Sequence, residues 1–315
     1  MTQEPAWPGR KYAAIYLRGL LMGAADIVPG VSGGTIAFIT GIYDRLIAAI
    51  SAVDHRFAML LLRGEWRAAT KSIDGGFLVA LMLGIATSVA SLAHLLSWLL
   101  ETYPLLVWAF FFGLIAGSAL VLVRHVGHWR AATLTALALG ILVAAAIALS
   151  PTTQLGDSYL ALFFAGFIAI CAMILPGISG SFILVLLGMY GPVLAMVESF
   201  HLPSLLVLGS GAVCGLLAFS RLLNWLLTRF HTLCMALLTG FLIGSLLVVW
   251  PWKVAHDTAA GGTAAAEGVP QWPMSPGSFA AVTGEAAMAT ACAALMLVGL
   301  AAVWLIERRW GDDGS

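Results

Sequence analysis

The sequence predicts an all-α polytopic membrane protein with two inverted-topology repeats, each a re-entrant or short helical hairpin plus three transmembrane helices. Hydrophobic residues make up 61% of the chain and charged residues only 10%, whereas an average soluble domain has about 25% charged residues. The apolar runs are continuous rather than alternating, which favours helices over β-barrel strands. The chain also aligns with itself, which indicates a tandem duplication.

The internal alignment defines the repeats. The segment "PGVSGGTIAFITGIYDRLIA", which begins at Pro29, aligns without a gap with "PGISGSFILVLLGMYGPVLA", which begins at Pro176. Farther along, "GLIAGSALVLV" matches "GFLIGSLLVVW" at a shorter spacing, and a polar insert at 51–76 accounts for the difference. We therefore assign residues 10–150 to the first repeat and 155–310 to the second.

Each repeat is predicted to contain five apolar segments. They are 12–28, 35–50, 77–100, 104–123 and 132–150 in the first, and 159–175, 182–197, 203–227, 231–250 and 285–306 in the second. The first two of each set are short, because at 1.5 Å per residue 12–28 reaches about 25 Å, less than a hydrocarbon core of about 30 Å. These short pairs are expected to form re-entrant hairpins, with two full crossings as the alternative.

The basic residues predict the orientation in the membrane, because cytoplasmic loops carry an excess of lysine and arginine. Nearly all of them fall on one side, which places both termini in the cytoplasm; only Lys253 remains, in the predicted extracytoplasmic loop 251–284. We expect this loop to lie irregularly along the outer interface, or else to gate the outer mouth. Three long helices per repeat put the second repeat in the opposite orientation, as in transporters with alternating access.

Both aligned motifs place proline and glycine within apolar sequence. Backbone that leaves the helix in a bilayer must be covered by protein or by a polar cavity. Pro29 is expected to end one helix, and Ser32 or Thr35 to cap the next, as Ser179 or Ser181 would in the second repeat. Free N–H groups and helix dipoles at such a break suit an anion, above all phosphate. A simple helix kink with glycine packing is the alternative for either motif alone.

The two breaks are together expected to surround one central anion site. The candidate substrate-binding residues are Pro29, Gly30, Ser32, Gly33, Gly34, Thr35, Pro176, Gly177, Ser179, Gly180 and Ser181.

Charged residues near the breaks have two possible roles each. Asp26 precedes Pro29 and either couples transport to protons or accepts hydrogen bonds from the broken backbone. Arg45 and Arg221 either contact a phosphate head or extend to the cytoplasmic surface. Tyr43 is expected to pack rather than to bind a ligand. No cofactor, metal ion or nucleic acid is expected.

Two matched glycine pairs predict close helix packing. Gly113 and Gly117 form a GxxxG motif in the first repeat, and Gly240 and Gly244 form one in the second. Such motifs let helix backbones approach closely. We expect packing within the chain rather than dimerisation, and the sequence leaves the oligomeric state open.

The segments "ADIVPGVSGGTIAFITGIYDRLI" and "LPGISGSFILVLLGMYGPVL" resemble the bacterial polyprenyl-phosphate transporter family, formerly a domain of unknown function. The resemblance covers nearly the whole chain. It implies a flippase, not an enzyme, that returns undecaprenyl phosphate across the bacterial cytoplasmic (inner) membrane for reuse in cell-envelope synthesis. Its partners would be this lipid and the bilayer, with the phosphate head at the two breaks.

Two other functions compete with this interpretation. A small-anion transporter or channel could also direct broken helices at a central ion. A lipid pyrophosphate phosphatase is less favoured: the motif is similar to the "PGxSR" of undecaprenyl pyrophosphate phosphatases, but Gly33 and Gly180 stand where that motif has arginine. The chain also lacks an E-x-x-x-E pair in a membrane helix, so phosphoryl transfer has neither a charge clamp nor an acid/base pair.

Overall fold

The computed structural model describes residues 8–28, 31–156, 158–255 and 271–310. The regular secondary structure of these residues is helical apart from one two-stranded antiparallel sheet. The elements are α1 (Pro8–Ile27), α2 (Gly33–Ile39), α3 (Tyr43–Ser51), α4 (His55–Leu62), α5 (Trp66–Ser72), α6 (Gly75–Thr102), α7 (Pro104–His125), α8 (Ala131–Ala148), α9 (Tyr159–Ile174), α10 (Gly180–Leu186), α11 (Tyr190–Glu198), α12 (Leu202–Ser245), β1 (Lys253–Ala255), β2 (Gln271–Pro273), α13 (Pro276–Thr283) and α14 (Ala289–Trp310).

Five of the described helices are long and apolar enough to cross a membrane: α6, α7, α8, α12 and α14. The count rises to seven if each of two bent helix pairs is one span. The chain is therefore a multi-pass membrane protein, and its long helices fall close to the predicted apolar segments.

The apolar segments predicted after each break, 35–50 and 182–197, are each divided into two helices. The axes of α2 and α3 differ by 118°, and those of α10 and α11 by 110°. Gly41 (φ +70°) and Gly188 (φ +66°) stand at the bends in the left-handed region, which glycine adopts without strain.

The hydrogen bonds at these bends form a Schellman motif, in which a left-handed residue ends a helix. In the first bend, Gly41 N–H donates to Phe38 O (3.2 Å) and Ile42 N–H to Ala37 O (3.0 Å). The second bend repeats the pattern from Gly188 and Met189. At 1.5 Å per residue, α2 and α10 are about 10 Å long, so neither crosses a membrane alone.

The separate helices predicted over 203–227 and 231–250 are both present, and they adjoin within α12. Its helical geometry breaks at Phe230 (φ −132°, ψ 42°). In the first half, Tyr103 has nearly the same backbone conformation (φ −133°, ψ 52°) and separates α6 from α7. Each half therefore has a break at the equivalent place. We refer to residues 202–229 as α12a and to residues 231–245 as α12b.

Glycines mark the close contacts between helices. In the first half α1 packs against α6 at Gly19 and Gly84, and in the second α9 packs against α12a at Gly166 and Gly211. A Cβ atom at any of these positions would collide with the backbone of the neighbouring helix. These contacts fix each helix pair at a short interaxial distance.

The last long helix of each half packs against the other half. Gly113 and Gly117 of α7 lie against α14, where Leu300 Cα would be 3.2 Å from a Cβ at Gly117. Gly240 and Gly244 of α12b lie against α8. The prediction that these glycine pairs pack within the chain is confirmed. Helix α8 of the first half packs against α12b of the second, and α14 of the second half packs against α7 of the first, so α8 and α14 are exchanged between the halves.

The segment after α12 is ordered where the structure describes it, so the expectation of an irregular loop is wrong for those residues. Strands β1 and β2 form a hairpin. Trp250 Nε1 donates to Met274 O (3.0 Å) and Trp252 Nε1 to Ala287 O (2.8 Å). Trp252 and Phe279 are buried in a small apolar cluster with the adjoining ends of α7 and α14.

Replacing Gly140 with alanine is expected to destabilise the protein, because the new Cβ atom would meet Leu237 O and Gly240 on α12b. Forcing extra volume into a tight contact costs about 1–3 kcal/mol. The measurement is thermal unfolding in detergent. Gly209→Ala is the matched control, since a Cβ atom there meets nothing within 4 Å and alanine favours a helix. Equal unfolding temperatures for the two variants would contradict the helix contact.

Candidate functional site

The two broken motifs are in direct contact. Ser32 Oγ donates a hydrogen bond to Met173 O at 3.0 Å. Thr35 Oγ1 accepts one from Gly177 N–H, also at 3.0 Å. Ser32 is 1% and Thr35 0% exposed, so both bonds are made away from solvent. The structure therefore brings together the two candidate motifs, as the sequence predicts.

Two further contacts hold the end of α9 against the first motif. Tyr43, at the start of α3, is buried and donates its hydroxyl hydrogen to Ile174 O (3.1 Å). Gly34 leaves room for the same carbonyl, which a Cβ atom would approach to 2.9 Å. Tyr43 packs, as expected, but it also donates a hydrogen bond across the contact between the halves.

The first motif is capped by side chains of its own repeat. Ser32, the N-cap of α2, accepts a hydrogen bond from Gly34 N–H (3.1 Å). Asp26 Oδ1 accepts one from Gly33 N–H (2.6 Å). Of the two roles expected for Asp26, the structure shows the backbone cap, in which its carboxylate accepts from the Gly33 N–H at the start of α2.

The second motif lacks these caps. Met173 stands at the position that aligns with Asp26. Ser179 is the N-cap residue of α10, but its side chain accepts no capping hydrogen bond. Its Oγ instead lies 2.8 Å from Ser181 Oγ. The expectation that one of these serines caps α10 is wrong, because the two hydroxyls bond to each other.

A small recess adjoins the second motif. It is lined by Gly177, Ile178, Ser179 and Phe182 of the motif, Ala144 and Ile147 of α8, and Ser245 and Val248 at the end of α12. Its volume of about 10 Å³ accommodates about one water molecule, so the space beside the second motif is smaller than a phosphate group.

Ser245 is not among the site residues predicted from the sequence. Its side chain is buried and its Oγ donates to Leu242 O (2.8 Å), which keeps the hydroxyl oxygen beside the recess. A signal was present, because Ser245 and Ser118 occupy the same place in the two aligned glycine-rich segments.

The remaining glycines and prolines of the motifs serve close packing where they are described. Gly177 has φ +86° and lies against α12b, and Pro176 before it is buried. Gly180 lies against α9, where a Cβ atom would be 2.7 Å from Ala169 O. Pro29 and Gly30 lie outside the described residues.

The two candidate arginines are not brought to the breaks. Arg45 Nε pairs with Asp74 Oδ2 at 2.7 Å, and its guanidinium lies 4.3 Å from the centre of the Phe77 ring. Arg221 Nη2 donates to Val53 O at 2.7 Å. Both side chains thus contact the insert at 51–76 or the residue that follows it, and neither lies at a break. The structure therefore does not support the expected contact of these arginines with a phosphate head.

Comparison with known proteins identifies the family. The model of the VCA0040-like family, described as undecaprenyl phosphate translocase-like, matches residues 22–265. The chain belongs to this family. It is 42% identical over 297 residues, 94% of this chain and 96% of the relative, to a protein named polyprenyl-phosphate transporter from Vibrio cholerae serotype O1. No solved structure matches.

A second relative bears the same name. A Staphylococcus aureus protein, also named polyprenyl-phosphate transporter, is 33% identical over 254 residues, which are 75% of this chain and 85% of the relative. This chain is accordingly a member of a transporter family and not an enzyme.

Thr35→Val is expected to destabilise the folded protein by about 1–3 kcal/mol, because the buried Gly177 N–H would lose its acceptor. Thermal unfolding in detergent measures the loss. Thr87→Val is the control, since Thr87 is exposed and its hydroxyl bonds only within its own helix, to Leu83 O. Unfolding of Thr35→Val at the temperature of the control would show that the cross-motif hydrogen bond is unimportant.

Asp26→Leu is expected to lower stability by about 1 kcal/mol, the usual cost of losing a helix cap. Asp26→Asn keeps an oxygen that can accept from Gly33 N–H and should unfold within a few degrees of the native protein. Met173→Leu, at the aligned position of the second repeat, controls for apolar substitution. If the leucine and asparagine variants unfold together, Asp26 has no capping role.

Proposed function

We propose that this protein moves undecaprenyl phosphate between the leaflets of a bacterial cytoplasmic membrane, so that the lipid can be reused in cell-envelope synthesis. The observation that carries the proposal is the contact of two broken, hydroxyl-bearing motifs from the two halves of the chain. The family and the names of both relatives support the substrate.

The architecture we propose is a pair of inverted repeats. In the first, α1 enters from the cytoplasmic side, the chain turns back through α2, and α3 lies along that surface. In the second, α9, α10 and α11 repeat this path from the outer side. The short α2 and α10 and the sharp bends after them support re-entrant hairpins rather than full crossings. Both termini would be cytoplasmic.

The phosphate head is proposed to bind at the second motif. Near the first motif, the Asp26 carboxylate occupies the start of α2 and would repel an anion in a medium of low dielectric constant. The second motif has no acidic counterpart and offers the Ser179 and Ser181 hydroxyls beside the recess. Because α10 has only seven residues, hydrogen bonds rather than a long helix dipole would supply the binding energy.

Binding would require the motifs to separate. The recess must widen before a phosphate group fits, and separation would free the Gly177 N–H and the Ser32 hydroxyl that now bond across the contact. Phosphate oxygens can accept from both groups. Opening towards one leaflet at a time would give alternating access.

The isoprenoid tail can remain in the lipid while the head binds. Met173, beside the second motif, is 38% exposed, and Phe164 and Ile168 on the same helix are also exposed. These exposed apolar side chains of α9 would adjoin the hydrocarbon core. The head would thus have a polar site while the tail loses no contact with lipid.

Removing both hydroxyls with Ser179→Ala and Ser181→Ala is expected to slow leaflet exchange of undecaprenyl phosphate at least about tenfold. Each hydrogen bond to a charged group contributes about 1.5–3 kcal/mol, and 1.4 kcal/mol corresponds to a factor of ten. The assay follows accessibility of the lipid in reconstituted vesicles. Ser210→Ala, at an exposed site on α12a, is the control.

Two further arms test the competing functions. Uptake of inorganic phosphate or chloride into the same vesicles without lipid exchange would favour a small-anion transporter, and release of phosphate from undecaprenyl pyrophosphate would favour a phosphatase. Native exchange rates in the folded double-alanine variant would show that the head does not bind at the second motif.

A further inference from the structure

One cation stands apart from the others. The other lysines and arginines fall on the predicted cytoplasmic side, whereas Lys253 begins β1 in the predicted extracytoplasmic segment. Basic residues in short translocated loops act against the orientation of the protein. The predicted topology therefore gives Lys253 no orienting role, and its contacts must be considered separately.

The surroundings of Lys253 are apolar. Its Nζ lies 4.0 Å from the centre of the Trp108 ring on α7 and donates a hydrogen bond to Val248 O, just beyond the end of α12. Among the residues that the structure describes, no carboxylate forms an ion pair with it. Burial lowers the pKa of the Lys253 ammonium to about 7, as expected for a cation without a counter-ion.

The same contact connects Lys253 to the second motif. Val248, whose carbonyl accepts from Nζ, also lines the recess beside Ser179 and Ser245. The Lys253 ammonium group therefore lies in the predicted extracytoplasmic segment. Its hydrogen-bond partner, Val248, borders the proposed head-group site. An ammonium has three donors, and the Val248 carbonyl engages one of them.

We propose that Lys253 is the cationic contact that receives the phosphate head of the lipid on the extracytoplasmic side of the second motif. This inference rests on the proposed function. The Trp108 ring and the Val248 carbonyl hold the ammonium in the closed arrangement. A phosphate monoester supplies the missing anion through charge-assisted hydrogen bonds, and these are strong where water is excluded.

A purely structural role has different consequences. Lysine near the end of a helix can stabilise the last carbonyl groups, and Lys253 would then only fasten the outer hairpin to α12 and α7. In that case its replacement would change stability without changing recognition of the head group.

Binding of undecaprenyl phosphate, followed by native mass spectrometry in detergent, separates these roles. Lys253→Gln keeps a donor for Val248 O but no charge, and we expect affinity to fall at least about tenfold. Lys253→Arg should retain affinity within about threefold. Lys71→Gln, which removes an exposed lysine of α5, should have no effect. Undecaprenol, which has the same tail without phosphate, should bind equally to the native protein and to Lys253→Gln.

Labelling of the native protein tests the proposal without any substitution. An amine-acetylating reagent is applied with undecaprenyl phosphate or with undecaprenol, and acetylation is located by peptide mass spectrometry. We expect undecaprenyl phosphate alone to slow acetylation of Lys253, with Lys71 as the internal reference. Equal labelling with both lipids, or native affinity in a folded Lys253→Gln, would overturn the proposal. A native protein that binds no undecaprenyl phosphate would instead refute the proposed function itself.

Discussion

The hydrogen bonds between the two broken motifs are the constraint on which the rest of the structure depends. A broken helix within hydrocarbon leaves polar groups whose burial without partners costs several kcal/mol each. Here the Thr35 hydroxyl accepts from Gly177 N–H, and the Ser32 hydroxyl donates to the carbonyl of Met173. The first half thus supplies partners for backbone groups of the second, so the second break depends on its contact with the first.

The two copies of the motif have diverged in charge. Asp26 fills the start of α2, whereas the aligned Met173 is an exposed apolar residue beside the second break. The divergence makes the pair asymmetric. The N–H groups at the start of the first motif's helix are capped by side chains of the same repeat. The second motif is bordered by hydroxyls, a recess and, on our proposal, a lysine. An anion between two identical motifs would have no preference for either of them.

The sequence was sufficient to predict what depends on composition and on internal repetition. Long helices follow from apolar length, and the meeting of the breaks follows from matched motifs in two halves of one chain. The bends at Gly41 and Gly188 were not predicted. An apolar run shows that a segment avoids water, but it does not show in which direction the helix axis runs. The aligned glycines were the available signal.

Contacts that join distant segments were beyond reach for a different reason. Arg45 pairs with Asp74, which belongs to an insert without a counterpart in the second repeat. The indole N–H of Trp252 donates to Ala287 O, in the connection before α14. Neither pairing has a period or a motif, and each depends on how separate elements happen to pack.

The exchange of α8 and α14 between the halves has a consequence for biosynthesis. The glycine face of α7 receives its partner, α14, only when the last long helix has been made. Until then the glycine face of α7 lacks its partner helix, although the first half of the chain is already synthesised. The contact between α7 and α14 must therefore wait until α14 has left the ribosome and entered the bilayer.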